Sequence, residues 1–181
     1  MKKFPSKILI EIEKKAKNIN PILFYGNESG LIFGLIKSIF NILKSKVEID
    51  EIKYFDHKNS SYEDFEQILK SHSLFSKINF IVIKNPQEKL VTELENFEEI
   101  NNILIINGKN LRAKSKLRSY FDNHPNFISV PCYQLDNDYI KNIINNFIKK
   151  NNITLQDEAY WFLANNISED FLILKNELQK L

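Results

Sequence analysis

Two short, unbroken apolar runs constrain this chain more than anything else in it: residues 80–83 (FIVI) and residues 103–106 (ILII). Apolar residues in succession, without polar alternation, fit buried strands, and the second run has the texture of a sheet covered on both faces. Segments of helical periodicity surround these runs. Residues 6–18 carry Ile8, Ile12 and Ala16 on one stripe and end near Pro21, which predicts a short amphipathic helix. Residues 21–25 (PILFY), followed by Gly26, predict a buried strand ending in a turn. From Ser29 the spacing of Leu31, Leu35, Ile39 and Ile42/Leu43 is helical. Strand, turn and helix in that order open a parallel α/β domain.

The alternation continues. Residues 47–55 (VEIDEIKYF) alternate apolar with polar and predict a second strand. Ser60-x-x-Glu63 has the spacing of a capping box, ahead of a helix with Tyr62, Phe65 and Ile68/Leu69 on one face. The third strand, at 80–83, stops before Pro86, and residues 88–97 predict a charged, weakly amphipathic helix. After the fourth strand at 103–106 come a short basic helix at 114–123 and a fifth strand at 127–130, ended by Pro131. The fold class is therefore α/β, with a doubly wound, mostly parallel five-stranded sheet. Beyond Cys132 the texture changes to three short helices, with Asp136, Thr154-x-x-Asp157 and Ser168 as their starts. The expected division is an α/β domain at 1–135 and a small helical domain at 136–181. The last helix is expected to run to the final residue without a stop, which implies a chain that is cut or lacks a further domain.

Composition narrows the class. With 181 residues, 43% of them hydrophobic, and only 4 glycines, the chain is neither disordered nor of low complexity. A single cysteine, Cys132, excludes a disulfide framework and a multi-cysteine zinc site, and points to a reducing compartment. A net charge of +2 makes no polycation that would demand nucleic acid. Lys2 and Lys3 resemble a signal-peptide start, but Glu11 and Glu13 interrupt the apolar stretch that a signal peptide needs next. The most apolar run, residues 31–43, is too short for a membrane span and contains Lys37 and Asn41. A cytoplasmic location without a membrane partner is expected.

The candidate sites are few. In an open α/β sheet ligands bind at the carboxyl ends of the strands, and the first such place is residues 26–33 (GNESGLIF). A working phosphate loop reads G-x-x-x-x-G-K-[ST], with amides that cradle phosphate and a lysine that neutralises it. Counted from Gly26, with Gly30 inside the loop, the second glycine falls on Leu31, the lysine on Ile32 and the hydroxyl on Phe33, while Glu28 has the wrong sign for phosphate. The expected geometry survives and the chemistry is gone. Both readings of this stretch, an ordinary turn or a decayed nucleotide site, exclude an active NTPase.

His57, His72 and His124 lack metal-ligand spacing, Asp56–His57 reads more simply as a turn, and Cys132 as a buried structural thiol. No catalytic residue, metal or cofactor is assigned. Lys109, Arg112, Lys114, Lys116 and Arg118 stand in a stretch without an acid; they either meet phosphate or an acidic partner, or form a solvated basic face. The acidic residues at 93–99 (ELENFEE) read as solvated. Leu74 and Phe75, between the second helix and the third strand, fit neither pattern; they are either a plug for the core or an exposed apolar anchor.

Taken in order, ILFYGNESGLI, SLFSKINFIVIKNP, NILIINGKNLRAKSKLRSYF, VPCYQLDNDYIKNII and ISEDFLILKNELQKL resemble the delta subunit of the bacterial DNA polymerase III clamp loader. The resemblance implies an AAA+ (RecA-like) α/β domain without ATPase activity, then a three-helix lid, then an all-helical collar, which is expected to be absent here. It implies a subunit that binds the beta sliding clamp and helps open the ring for loading onto DNA during replication. The family's clamp-binding Leu-Phe pair is matched by Leu74 and Phe75, which favours the anchor. The other loader subunits (gamma/tau and delta prime) are implied partners if the collar is present, with DNA met through the complex. The family's lid can carry an arginine after an Asp-Leu pair; here Asp170 and Phe171 are followed by Leu172. Two rivals remain. A divergent P-loop ATPase or nucleotide kinase needs a lysine that Ile32 does not supply. A nucleic-acid-binding module on 109–118 lacks the interleaved aromatics of a stacking platform.

Overall fold

The computed structural model describes residues 2–15, 19–70, 78–96, 102–133, 135, 137–167 and 170–181. They form two units, Met1–Cys132 and Tyr133–Leu181. The first unit is built on five strands: β1 (Ile22–Tyr25), β2 (Ile52–Asp56), β3 (Phe80–Lys84), β4 (Ile103–Asn107) and β5 (Ile128–Pro131). All pairings are parallel, in the order β2-β3-β4-β1-β5. Its helices are α1 (Pro5–Lys14), α2 (Ser29–Lys44), α3 (Tyr62–Lys70), α4 (Leu90–Glu95) and α5 (Lys116–Asn123).

The continuous apolar runs result from this layering. Side chains alternate between the two faces of a strand, and here both faces are covered. On one face Leu23, Tyr25, Ile81, Ile83, Leu104 and Ile106 pack with Phe65 and Leu69 of α3, Leu90 and Leu94 of α4, and Leu117 and Phe121 of α5. The alternate residues Ile22, Phe24, Phe80, Val82 and Ile105 are equally buried on the other face. There Phe40 of α2 meets Phe80 edge-on, ring centroids 5.4 Å apart, and α1, with Ile8 and Ile12 buried, packs on α2. Each such side chain contributes about 1.5–3 kcal/mol of apolar transfer. The short chain entry adds one pairing that periodicity does not announce: Lys2 bridges Ser129, and the Lys3 amide donates to the Ser129 carbonyl at 2.8 Å, covering the edge of β5.

Several local expectations shift. The second strand begins at Ile52 rather than 47, because the Val47 amide closes on the Leu43 carbonyl at 2.8 Å in the turn that ends α2. The capping box of α3 lies one residue on from the expected Ser60 and Glu63. The Ser61 amide donates to Asp64 Oδ2 at 2.9 Å and the Asp64 amide to Ser61 Oγ at 3.2 Å, while Ser60 Oγ donates to the Asp56 carbonyl at 2.8 Å. Proline opens α1 at its first residue, and Ala16 lies outside the described residues.

The second unit consists, among the described residues, of α6 (Asn137–Asn151), α7 (Asp157–Asn166) and α8 (Phe171–Leu178). Ile140 and Ile144 of α6, Ala164 of α7, and Leu174 and Leu178 of α8 are buried. The N-cap of α7 is Gln156, without a side-chain bond, so Thr154 does not cap it. Asp170 caps α8, its Oδ1 accepting from the Leu172 and Ile173 amides at 2.9 and 3.0 Å. The expected caps Asp136 and Ser168 lie outside the described residues. The last helix ends at Leu178, with Gln179 as C-cap, and not at the final residue. No helix among the described residues is long and apolar enough to cross a membrane.

Candidate functional site

The strand order places β1 between β4 and β5, so the connection leaving β1 stands at the point where the winding of the sheet reverses. That is where open α/β sheets hold ligands. Here Tyr25 ends β1 and Ser29 already opens α2, so residues 26–28 alone connect them. Gly30, Leu31 and Ile32 lie within the first turn of α2 and are buried, and Phe33 is exposed. The sequence count allowed the loop's geometry to survive without its chemistry; the structure shows the arch itself shortened to a turn.

The turn is also closed by its own backbone. The Gly26 amide donates to the Lys109 carbonyl at 2.7 Å, and the Glu28 amide to the Cys132 carbonyl at 3.1 Å. Two amides of the turn are thus occupied by protein. Gly26 has φ +144°, and a Cβ there would fall 1.8 Å from the Cys132 carbonyl oxygen. This gives the glycine a structural reason that involves no nucleotide. Burial, with the charge of Glu28 adding to it, pushes the Cys132 thiol up to about 12. Such a thiol is no nucleophile near neutral pH.

The rest of the carboxyl edge is tied strand to strand. Lys109 Nζ donates to Asn85 Oδ1 and Asn85 Nδ2 to Asp56 Oδ1, both at 3.1 Å. Asn85 and Lys109 hold left-handed φ values of 50° and 48° to do so. The bond from Asn85, with further bonds from Asn59 and the Lys58 amide, holds the Asp56 carboxyl below its ordinary value. Asp56 and His57 therefore face different partners and form no acid–base pair. His57 opens a 3-10 turn, His57–Asn59, and points inward. Its Nδ1 accepts from the Gln87 amide at 3.0 Å, so Nε2 carries the proton toward Glu93 Oε2 at 2.5 Å. Both residues are buried, with Phe55 and Phe65 against the imidazole.

The basic stretch divides in two. Arg112, Lys114 and Lys116 are exposed; Lys109 is exposed too, with its Nζ joined to Asn85. Arg118 lies with its guanidinium carbon 4.4 Å from the centre of the Tyr25 ring and its Nε 3.7 Å from Asp122. The amino end of α5 already holds an anion: Glu88 accepts from Ser115 Oγ at 2.9 Å and from the Lys116 amide at 2.8 Å. Among the described residues no cluster of His, Cys, Asp or Glu has the make-up of a metal site.

Leu74 and Phe75 lie outside the described residues, as do His72 and the acidic Glu98 and Glu99. The residues flanking the 71–77 stretch are at the opposite, amino edge of the sheet, where α3 ends and β3 begins. There a side chain that no motif singles out, Asn102, bonds both flanks: Nδ2 donates to the Leu69 carbonyl at 2.6 Å and Oδ1 accepts from the Asn79 amide at 2.9 Å. Neither Asn102 nor the His57–Glu93 pair has a local sequence signal, because the partners are far apart along the chain.

A parallel five-stranded sheet of this order, with helices on both faces, defines an α/β protein of the AAA+/RecA-like class. Its solved likenesses include the Thermotoga maritima RuvB Holliday junction branch migration motor (TM-score 0.54, 18% identity, 97% of this chain and 58% of that one). They also include AMPPCP-bound DnaA from Aquifex aeolicus (TM-score 0.56, 15% identity, 96% of this chain and 59% of that one). The sequence profile of the family "DNA polymerase III, delta subunit" matches residues 22–131, more than half of the chain, so the chain belongs to that family. The Bacillus subtilis DNA clamp loader delta protein YqeN is similar in structure, with TM-score 0.66 and 14% identity over 95% of this chain. This chain spans 55% of that protein's length. No curated protein sequence matches the chain.

Proposed function

We propose that this chain is a clamp-opening subunit of a replicative clamp loader, which binds the beta sliding clamp through Leu74 and Phe75 and favours its open ring without hydrolysing nucleotide. The observation that carries the reading is the delta-subunit profile over residues 22–131, a span that includes both the turn after β1 and the Leu-Phe pair. The occupied amides and the buried Leu31 and Ile32 support a degenerate, non-binding nucleotide loop with no cofactor. On this reading residues 1–135 act as the AAA+-like domain and 136–181 as the lid. The other loader subunits, gamma/tau and delta prime, are partners if a collar domain is present, and DNA is met through the complex, in the cytoplasm. Arg112, Lys114 and Lys116, with the exposed Lys109, are the part of the basic stretch available to phosphate or a partner.

A ligand shifts a ring between closed and open only through contacts better made in the open state. Leu74 and Phe75 supply apolar anchors worth about 1.5–3 kcal/mol each. The double change Leu74→Ala/Phe75→Ala is expected to weaken binding to purified beta clamp at least about tenfold, with the melting temperature nearly unchanged. A variant that melts much earlier, yet when folded binds clamp as before, would assign the pair to the core instead.

A further inference from the structure

Asn79 and Asn102 stand side by side, each one residue ahead of its strand, since Phe80 of β3 pairs with Ile103 of β4. The Ile103 amide donates to the Asn79 carbonyl at 2.9 Å, which continues the ladder one step below the strands. Into this corner the Asn102 carboxamide, 7% exposed, sends both of its ends. Its Nδ2 reaches the Leu69 carbonyl, one of the last carbonyls of α3, which have no acceptor role within the helix. Its Oδ1 takes the Asn79 amide. One side chain from a third element thus joins the point where the chain leaves α3 to the point where it enters β3. Leu74 and Phe75 fall midway between those points in the sequence.

We propose that Asn102 is a positioning residue for clamp binding: it holds the two flanks of the 71–77 stretch, Leu69 and Asn79, at a fixed separation, so that the Leu-Phe pair is presented from a fixed base. The inference rests on the reading of Leu74 and Phe75 as the clamp anchor. An unpinned base lowers the fraction of molecules competent to bind, and apparent affinity falls by that fraction. The loss then belongs to association, whereas losing the anchors themselves belongs to dissociation.

The experiment uses the full chain and purified beta clamp, with rate constants from biosensor measurements well below every variant's melting point. Asn102→Ala removes both bonds; Asn102→Leu removes them while filling the same space, and serves if the alanine variant does not fold. Ile105→Val, a truncation in the interior of β4, is the control for general loss of stability. Amide exchange at Asn79 reports directly whether the clasp is broken. The expected result is a Kd about tenfold weaker in the Asn102 variants, carried by kon, with faster Asn79 exchange and with Ile105→Val binding as wild type. Faster Asn79 exchange with unchanged kon and Kd, while Leu74→Ala/Phe75→Ala still loses binding, overturns the positioning role and leaves the anchor standing. If Leu74→Ala/Phe75→Ala binds as wild type, the anchor reading fails and the role of Asn102 falls with it.

Discussion

The change Gly26→Ala separates a glycine kept for its turn from one kept for a phosphate. The Cβ would stand 1.8 Å from the Cys132 carbonyl oxygen and 2.3 Å from its carbon, both backbone atoms at the end of β5. Neither can swing aside as a flexible side chain would. At φ +144° an L-residue also adopts a sparsely populated conformation, which costs on the order of 1–3 kcal/mol. To make room, the Cys132 peptide must move away from β1. That strains the Cys132 amide's bond to the Tyr25 carbonyl at 2.6 Å and the Glu28 amide's bond to the Cys132 carbonyl at 3.1 Å. Each such bond contributes about 1 kcal/mol net. The total is then about 3–5 kcal/mol, which lowers Tm by about 6–20 °C for a chain of this size. Thermal unfolding monitored by near-UV circular dichroism reads the shift. Calorimetry with MgATP on the unaltered protein supplies the other half, where affinity no better than about millimolar is expected. A variant that melts within about 3 °C of the parent would refute the close-approach argument, and micromolar magnesium-dependent ATP binding by the parent would refute the closed turn.

Three further expectations rest on other buried or capping groups. His57→Ala should cost about 3 kcal/mol in urea unfolding, because it leaves the buried Glu93 without the imidazole and takes the acceptor from the Gln87 amide, while Glu93→Gln, which keeps an acceptor, costs about 1 kcal/mol or less; equal losses would contradict the hydrogen-bond assignment. Cys132, with its thiol pushed up to about 12 by burial, should resist thiol reagents at pH 8 in the folded protein and react only at the rate of opening; prompt modification would place the thiol at the surface. Asp64 has its carboxyl lowered first by the Ser61 amide and then by the Ser61 hydroxyl, so its support of α3 is full above the ordinary carboxylate value and is lost as pH falls through the lowered one. Amide exchange at Ser61 should accelerate, beyond its intrinsic pH dependence, over that acidic window, and Asp64→Asn should abolish the effect.

Legibility in the sequence tracks the reach of each interaction. The runs FIVI and ILII became β3 and β4 because burial on two faces leaves no room for polar alternation. The stripes of Ile8 with Ile12 and of Phe65 with Leu69 were equally plain, since one helical face meets one layer. Local chemistry was misplaced by a residue or two where neighbours compete. Ser60 and Ser61 both have the chemistry of a cap, and Asp56 claims the first. The alternation at 47–55 could not reveal that Val47 closes the turn after α2. Contacts between distant residues left no trace at all: His57 with Glu93, and Asn102 with Leu69 and Asn79, depend on strand order, which periodicity does not encode. The turn after β1 was legible as chemistry, through Ile32 and Phe33, but not as length, because a template count presumes the arch it tests for.

The basic stretch permits a sharper test than its charge count suggests. Five cations lie between 109 and 118, yet the structure commits two of them. Lys109 holds Asn85 within the chain that ties β2, β3 and β4 together at their carboxyl ends. Arg118 covers Tyr25 and pairs with Asp122. The amino end of α5 would attract phosphate through its open amides, but the Glu88 carboxylate occupies it. Phosphate contact is therefore left to the side chains of Arg112, Lys114 and Lys116, with the exposed Lys109 beside them, and phosphate contacts carry charge but read no sequence. Each phosphate neutralised on duplex DNA contributes about 0.9 to the slope of log K against log salt. If DNA meets this surface, Arg112→Ala/Lys114→Ala/Lys116→Ala should lower the slope by at most about 2.7, equally for unrelated duplexes. Lys109 is exposed and its partner Asn85 is neutral, so Lys109→Ala should lower the slope by at most about 0.9. Arg118→Ala should leave the slope in place, and should instead lower stability by about 1 kcal/mol through the lost stacking on Tyr25. A slope that drops by about 0.9 for Arg118→Ala alone would show that this side chain faces phosphate, and the internal partners assigned to it would be wrong.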